Sequence, residues 1–237
     1  MKRIGILGGS SDQATADYYR QLNRGANQRL GGFHTAELLV SSMDFALAER
    51  WVRTGDWDGA ARYLTDRARA LEAAGAGLLL CVSNTLHRVA DRYTAGLRVP
   101  FLHIVDPTGA AIRARGLRRV GLLGTKPVMS TDYLKARYRE RHGVEIVVPD
   151  EPRQAELDRI IFEELCRGEF RADARATYLE AVRWLARQGA EGVILGCTEI
   201  PLLISQADDP SLPMFDTTAL HVAAALDLAL ADVTQPE

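Results

Sequence analysis

Short apolar runs alternate along this chain with longer stretches whose apolar residues recur every three to four positions, the pattern of strands alternating with amphipathic helices. Arg3 to Leu7 predicts a first strand, closed by the turn Gly8-Gly9-Ser10-Ser11, and Ala14 to Arg29 predicts a helix with Tyr18, Tyr19 and Leu22. Glu37 to Ser42, Leu78 to Val82, Pro100 to Val105, Val144 to Val148 and Gly192 to Leu195 are further strand candidates. Helices are predicted over Asp58–Ala74, Asn84–Tyr93, Thr108–Arg115, Ser130–Arg141, Glu156–Arg167, Ala172–Gln188 and Thr217–Ala231. Such alternation implies parallel β-α-β units, an α/β fold with mainly parallel sheets flanked by helices.

Two stretches organise the pattern. Gly75-Ala76-Gly77-Leu78-Leu79-Leu80-Cys81-Val82-Ser83-Asn84-Thr85 overlays Gly189-Ala190-Glu191-Gly192-Val193-Ile194-Leu195-Gly196-Cys197-Thr198-Glu199 without a gap. Each reads as a buried strand ending in small polar residues. Arg119-Val120-Gly121-Leu122-Leu123-Gly124-Thr125 likewise repeats Arg3-Ile4-Gly5-Ile6-Leu7-Gly8-Gly9. The chain is therefore expected to be a duplicated pair of similar lobes, residues 1–98 with 213–237 and residues 99–212, related by a pseudo-twofold, with the site between them. Ligands of open α/β sheets bind outside the carboxyl ends of the strands, which draws attention to Ser83 and Cys197.

Composition narrows the partners. The 237 residues carry 29 Lys and Arg against 31 Asp and Glu, a formal charge of −2, so neither nucleic acid nor a membrane surface is expected. No apolar run approaches a membrane span and the apolar start is too short for a signal peptide, an expectation of a cytoplasmic protein. Three widely spaced cysteines, Cys81, Cys166 and Cys197, do not make a disulfide framework. No His/Cys/Asp cluster has metal-ligand spacing, so no metal is expected. Only Lys2, Lys126 and Lys135 are available for Schiff-base chemistry.

A thiol at a strand tip is a candidate base or nucleophile if its acidity is raised, and a helix starting after Cys197 would favour the thiolate. The competing reading of Cys197 is an inert buried cysteine. Cys81 and Cys166 read as packing residues. The turn holding Ser10 can present backbone amides to an anion, although it matches neither a dinucleotide fingerprint nor a P-loop. His87 and His103 fall near element ends, where a structural hydrogen bond is the simpler role.

With these motifs in hand, the chain resembles the aspartate/glutamate racemase family over nearly its whole length. The resemblance rests on Ile4 to Gly9 with Thr15, Tyr18 and Tyr19, on Ser83-Asn84-Thr85-Leu86-His87, on Val193 to Glu199, and on Phe215-Asp216-Thr217 with His221. It is closest to bacterial broad-specificity or L-Asp/Glu-type amino-acid racemases. The resemblance implies a homodimeric isomerase that works without pyridoxal phosphate or any other cofactor, with two cysteines flanking the substrate Cα. One of those positions is Cys197. The other is Ser83, a far weaker acid than a thiol. Ser10, Asn84, Thr85, Thr125, Thr198 and Glu199 fall at positions expected to bind the amino-acid substrate. Val52, Ser10, Asp12 and Gln13 depart from the residues common in similar racemases, which bears on the substrate. The alternatives are a one-cysteine decarboxylase or isomerase of the same superfamily, an amino-acid-binding protein weakened in turnover, and, more distantly, a nucleotide-binding α/β protein.

Overall fold

The computed structural model describes residues 1–231 and divides into two compact units, Met1–His103 with the chain from His221 onward, and Ile104–Leu220. In the first unit, β1 (Ile4–Gly8), α1 (Asp12–Leu30), β2 (Leu38–Ser42), α2 (Phe45–Thr54), α3 (Trp57–Ala73) and β3 (Leu78–Cys81) are followed by a 3-10 turn over Thr85–Val89 and α4 (Ala90–Tyr93). The second holds α5 (Val105–Ala114), β4 (Arg119–Leu123), α6 (Lys126–Ser130), α7 (Tyr133–His142), β5 (Glu145–Val147) and α8 (Glu151–Glu163). A 3-10 turn over Leu165–Arg167, α9 (Ala172–Arg187), β6 (Val193–Leu195), α10 (Ile200–Leu203) and β7 (Met214–Asp216) follow, and α11 (Thr217–Leu230) closes the described chain.

The sheets are parallel and run β2-β1-β3 and β5-β4-β6-β7. The duplication is visible in that order: β1 and β4 are central, and β3 and β6 each flank the central strand on the side away from β2 or β5. It extends one position further. Phe101 makes a single parallel bridge to Leu79 where β7 pairs with β6, and the Pro100 carbonyl accepts the Leu79 N–H as the Pro213 carbonyl accepts that of Val193. The strand expected over 100–105 is reduced to this bridge. Pro100 has no N–H to extend a ladder, and by Val105 the chain is already helical.

Each strand splits its side chains between two cores. Ile4, Ile6, Leu78 and Leu80 pack with Tyr18 and Leu22 of α1, while Leu7, Leu79 and Cys81 pack with Leu64 and Leu71 of α3. In the second unit Val193 and Leu195 face Tyr178 and Leu185 of α9, and Ile194 faces Val105 and Ile112 of α5. Burying each such aliphatic side chain contributes roughly 1.5–3 kcal/mol, so these double-faced strands fix both sheet and register.

After the fourth position the chain changes unit, and it does so in both copies. α5 follows the Phe101 bridge yet packs in the core of the second unit, and α11 follows β7 yet places Val222, Ala225, Leu226 and Ala229 in a core of the first. The crossings fall at 103/104 and 220/221, and the ladder to β6 keeps residues 214–216 with the second sheet. The helix expected over 130–141 breaks into α6 and α7 at Thr131-Asp132, and the one expected from Glu156 starts at Glu151, with the Asp150 side chain accepting the Arg153 N–H and Pro152 in the first turn. No helix among the described residues is long and apolar enough to cross a membrane.

Candidate active site

In the first unit the functional candidates stand at the tips of β1 and β3. Gly9 leaves β1 at a φ of +89°, and a Cβ there would lie 2.2 Å from the Met43 carbonyl oxygen, so only glycine fits. Its N–H is accepted by Thr15 Oγ1 at 2.8 Å, and the same hydroxyl donates to the Ser11 carbonyl at 2.7 Å. Ser11 in turn caps α1 through the Ala14 N–H. The Ser10 hydroxyl donates to the Val82 carbonyl at 2.8 Å, bracing the β1 tip to the β3 tip one residue before Ser83.

Ser83 Oγ accepts the Leu86 N–H at 3.2 Å, and its carbonyl accepts a proton from His87 Nδ1 at 2.7 Å. The two bonds fold Ser83-Asn84-Thr85 tightly into the 3-10 turn, and all three residues are buried. His87 stacks edge-on with His103, ring centroids 4.4 Å apart. His221 adjoins them: its Nε2–H donates to the Leu102 carbonyl at 3.0 Å, which leaves Nδ1 to accept the Tyr18 hydroxyl at 2.8 Å. The structural hydrogen bond expected of His87 is present, while the Tyr18–His221 pair joins two residues 203 apart in sequence that no local pattern connects.

In the second unit Thr125 follows β4 and Cys197-Thr198-Glu199 follows β6. Gly124 and Gly196 let the two tips approach, for a Cβ on Gly124 would lie 2.8 Å from the Gly196 carbonyl oxygen and one on Gly196 2.7 Å from that of Leu123. The Thr217 hydroxyl holds the Leu195 carbonyl at 2.8 Å. Cys197 donates its thiol hydrogen to Glu199 Oε2 at 2.9 Å, and the Thr198 hydroxyl donates to the same oxygen at 3.0 Å. From the turn after α8, Cys166 reaches Glu199 Oε1 at 3.8 Å. Glu199 is only 1% exposed.

This environment corrects the expectation of a thiolate. Burial, then the negative charge of Glu199, then Cys166, push the Cys197 thiol well above its ordinary range, so the resting group is a protonated thiol and not a thiolate. The helix after it, α10, has four residues and does not offset that field. Glu199 turns its carboxylate onto Cys197, Thr198 and Cys166. Tyr178 of α9 borders the cluster with its hydroxyl given to the Leu157 carbonyl at 3.0 Å, and Asp158 of α8 takes the Lys126 N–H at 2.7 Å. Cys166, Tyr178 and Asp158 escape a motif search because they reach the cluster from helices distant in sequence. Cys81 faces the apolar core, where burial pushes its thiol to about 12. Among the described residues no group of three or more His, Cys, Asp or Glu is arranged to hold a metal ion.

A thiol hydrogen-bonded to a buried carboxylate at the end of a parallel strand, in a duplicated α/β chain, is the equipment of an enzyme that moves protons. The Asp/Glu/hydantoin racemase model matches residues 4–225. A solved structure from Yersinia pestis, provisionally assigned as an Asp/Glu racemase, is 41% identical with a TM-score of 0.88, covering 97% of this chain and 100% of that one. An aspartate racemase homologue from Pyrococcus horikoshii is 37% identical with a TM-score of 0.81, covering 97% and 99%. Glutamate racemase from Francisella tularensis, solved with D-glutamate, shares the fold at 12% identity, with a TM-score of 0.70 over 100% of this chain and 86% of that one. The chain belongs to the Asp/Glu/hydantoin racemase family, and its relatives of known fold are racemases, a class of isomerase.

Proposed function

We propose that the protein racemises an acidic amino acid, aspartate or glutamate, by removing and returning the Cα proton. The observation that carries this reading is the 2.9 Å bond from Cys197 to Glu199. A general base needs an acceptor for its own proton within hydrogen-bond reach, and Glu199 Oε2 is that acceptor. Once the thiol proton passes to Glu199, the thiolate is left beside a neutral carboxylic acid in a buried place, where loss of solvation makes it a strong base, suited to a weakly acidic Cα–H.

Ser83 is the proposed partner on the opposite face of Cα. The Leu86 N–H on its Oγ stabilises negative charge developing there as the hydroxyl gives up its proton. Asn84, Thr85, Thr125 and Thr198, with the backbone amides near Ser10, are proposed to hold the two substrate carboxylates. We further propose a homodimer in the cytoplasm. The three cysteines, none of them in a disulfide, suit a reducing compartment, and exposed Phe33 and Val40 offer apolar surface to a second copy.

The test is incubation with each enantiomer of aspartate and glutamate in deuterated water, following Cα exchange by NMR and configuration by chiral chromatography. Exchange with loss of optical purity is expected, and Cys197→Ala should abolish both. Turnover of arylmalonates without amino-acid exchange would transfer the assignment to a one-cysteine decarboxylase, and tight amino-acid binding with no exchange would make the chain a binding protein.

A further inference from the structure

Glu199 carries two donors on one oxygen and a third on the other. Cys197 and Thr198 reach Oε2 at 2.9 and 3.0 Å, while Cys166 reaches Oε1 at 3.8 Å from a separate segment of chain. We infer that Cys166 is a positioning residue for proton transfer: it holds the far oxygen of Glu199 so that the near oxygen stays aimed at Cys197. The inference rests on Cys197 being the base and adds a residue that the reaction alone does not call for.

The geometry supports it on three counts. Glu199 and Cys197 are two residues apart on one strand tip, and within that segment Cys197 and Thr198 both meet Oε2; Cys166 adds a contact from outside the segment, on Oε1. Cys166 itself is fixed, because Leu165 before it is fully buried in the core and the Gly168 N–H closes the turn onto the Leu165 carbonyl at 3.0 Å. Finally, a thiol is a weak donor. A hydroxyl at that place would still supply a donor to the oxygen, whereas an aliphatic side chain would remove this one.

The other ionisable groups bordering the cluster are engaged elsewhere. Tyr178 donates to the Leu157 carbonyl and Asp158 accepts the Lys126 N–H. Cys166, from the turn between α8 and α9, hydrogen-bonds Glu199.

The experiment uses Cys166→Ala and Cys166→Ser in the full chain, with Cys166→Val as a bulkier donorless variant should the alanine form fail to fold. Two properties are read against pH: kcat/KM for Cα exchange of aspartate and glutamate in deuterated water, and the rate of Cys197 alkylation by iodoacetamide, followed by mass spectrometry. Removing a donor from the ionised carboxylate moves the acid limb of kcat/KM to higher pH and strengthens the negative field on the Cys197 thiol, slowing its alkylation at fixed pH. An effect of about threefold to tenfold is expected from one modest hydrogen bond, and Cys166→Ser should retain or restore wild-type limbs because it keeps a donor. Superposition of the donorless and wild-type profiles in both measurements overturns the inference, as does a serine variant shifted as far as the donorless ones. If Cys197→Ala itself keeps full exchange, the base assignment fails, and the alkylation profile still decides whether Cys166 acts on Cys197 through Glu199.

Discussion

Cys197 and Glu199 are two residues apart, and their side chains meet in a 2.9 Å hydrogen bond, thiol to carboxylate, in a place closed to solvent. The pair therefore has an internal destination for the thiol proton. Burial makes the thiol hard to ionise beforehand, and the negative charge that receives the proton adds to that.

Glu199→Gln separates these two effects. The amide keeps the size of the side chain and an oxygen acceptor but carries no charge and takes up no proton. Cys197 alkylation should move to lower pH, since the field opposing the thiolate is gone, while exchange falls by about 10²–10⁴-fold, the range of a lost proton acceptor. Iodoacetamide kinetics and deuterium exchange on the same variant test this; a thiol that becomes more acidic together with unchanged or faster exchange would contradict the assignment.

Ser83→Cys should raise exchange on the enantiomer whose proton is removed from the Ser83 side. Because racemisation has an equilibrium constant of one, kcat/KM for net conversion must match in the two directions, so the gain appears in separate kcat and KM values and in Cα exchange. Ser83→Ala should cost less than Cys197→Ala, since water can replace a hydroxyl donor. Cα exchange measured on both enantiomers of all three variants decides the matter, and an inert Ser83→Cys would count against Ser83 facing the substrate.

Gly9→Ala should destabilise the protein by about 1–3 kcal/mol from backbone strain alone, with more from the collision of its Cβ with the Met43 backbone. Urea unfolding gives the value. Gly31 also has a positive φ, but a methyl group added there would meet nothing within 4 Å. Gly31→Ala therefore isolates the strain from the collision and should cost less.

Asp106 links α5 to α7. Burial acts to raise its carboxyl, but the two bonds from Arg137 at 2.8 and 2.6 Å, His142 and the charge of Arg141 outweigh burial, so the group lies below the ordinary carboxylate value. The folded state thus binds this proton less readily than the unfolded chain. Its stabilisation is complete above the unfolded carboxyl pKa and is lost as pH falls through the lowered folded one. Asp106→Asn should be less stable at neutral pH and lose less on acidification, as urea titrations at pH 7 and in the acid range will show; parallel losses in both proteins would exclude the pair as an acid-sensitive contact.

The strand tips are legible in the sequence because a buried parallel strand leaves a plain apolar run that ends at its polar residues, as at Leu78–Cys81 and Val193–Leu195. Ser83 and Cys197 can therefore be matched from the order of residues alone. The thiolate expectation misses first the depth at which Cys197 is buried and then the direction of Glu199: a carboxylate two residues along a turn points at its neighbour or away depending on side-chain torsions that sequence does not display. Cys166 reads as packing because its partner is 33 residues away and the contact depends on how the turn after α8 seats against the β6 tip. Residues 100–105 look like a strand by composition, and Pro100 together with the early start of α5 reduces them to one bridge.

The reciprocal placement of α5 and α11 sets an order in time on the ribosome. The second unit is one unbroken stretch and has all four of its strands once Asp216 has been made. The first unit, although its strands are synthesised earlier, lacks part of a core until Val222, Ala225, Leu226 and Ala229 emerge. The usual sequence of vectorial folding, amino-terminal body first, is thereby inverted: residues 1–103 wait, with the apolar surface of Ile4, Ile6 and Leu22 incompletely covered, for a helix translated only after the strands of the second unit.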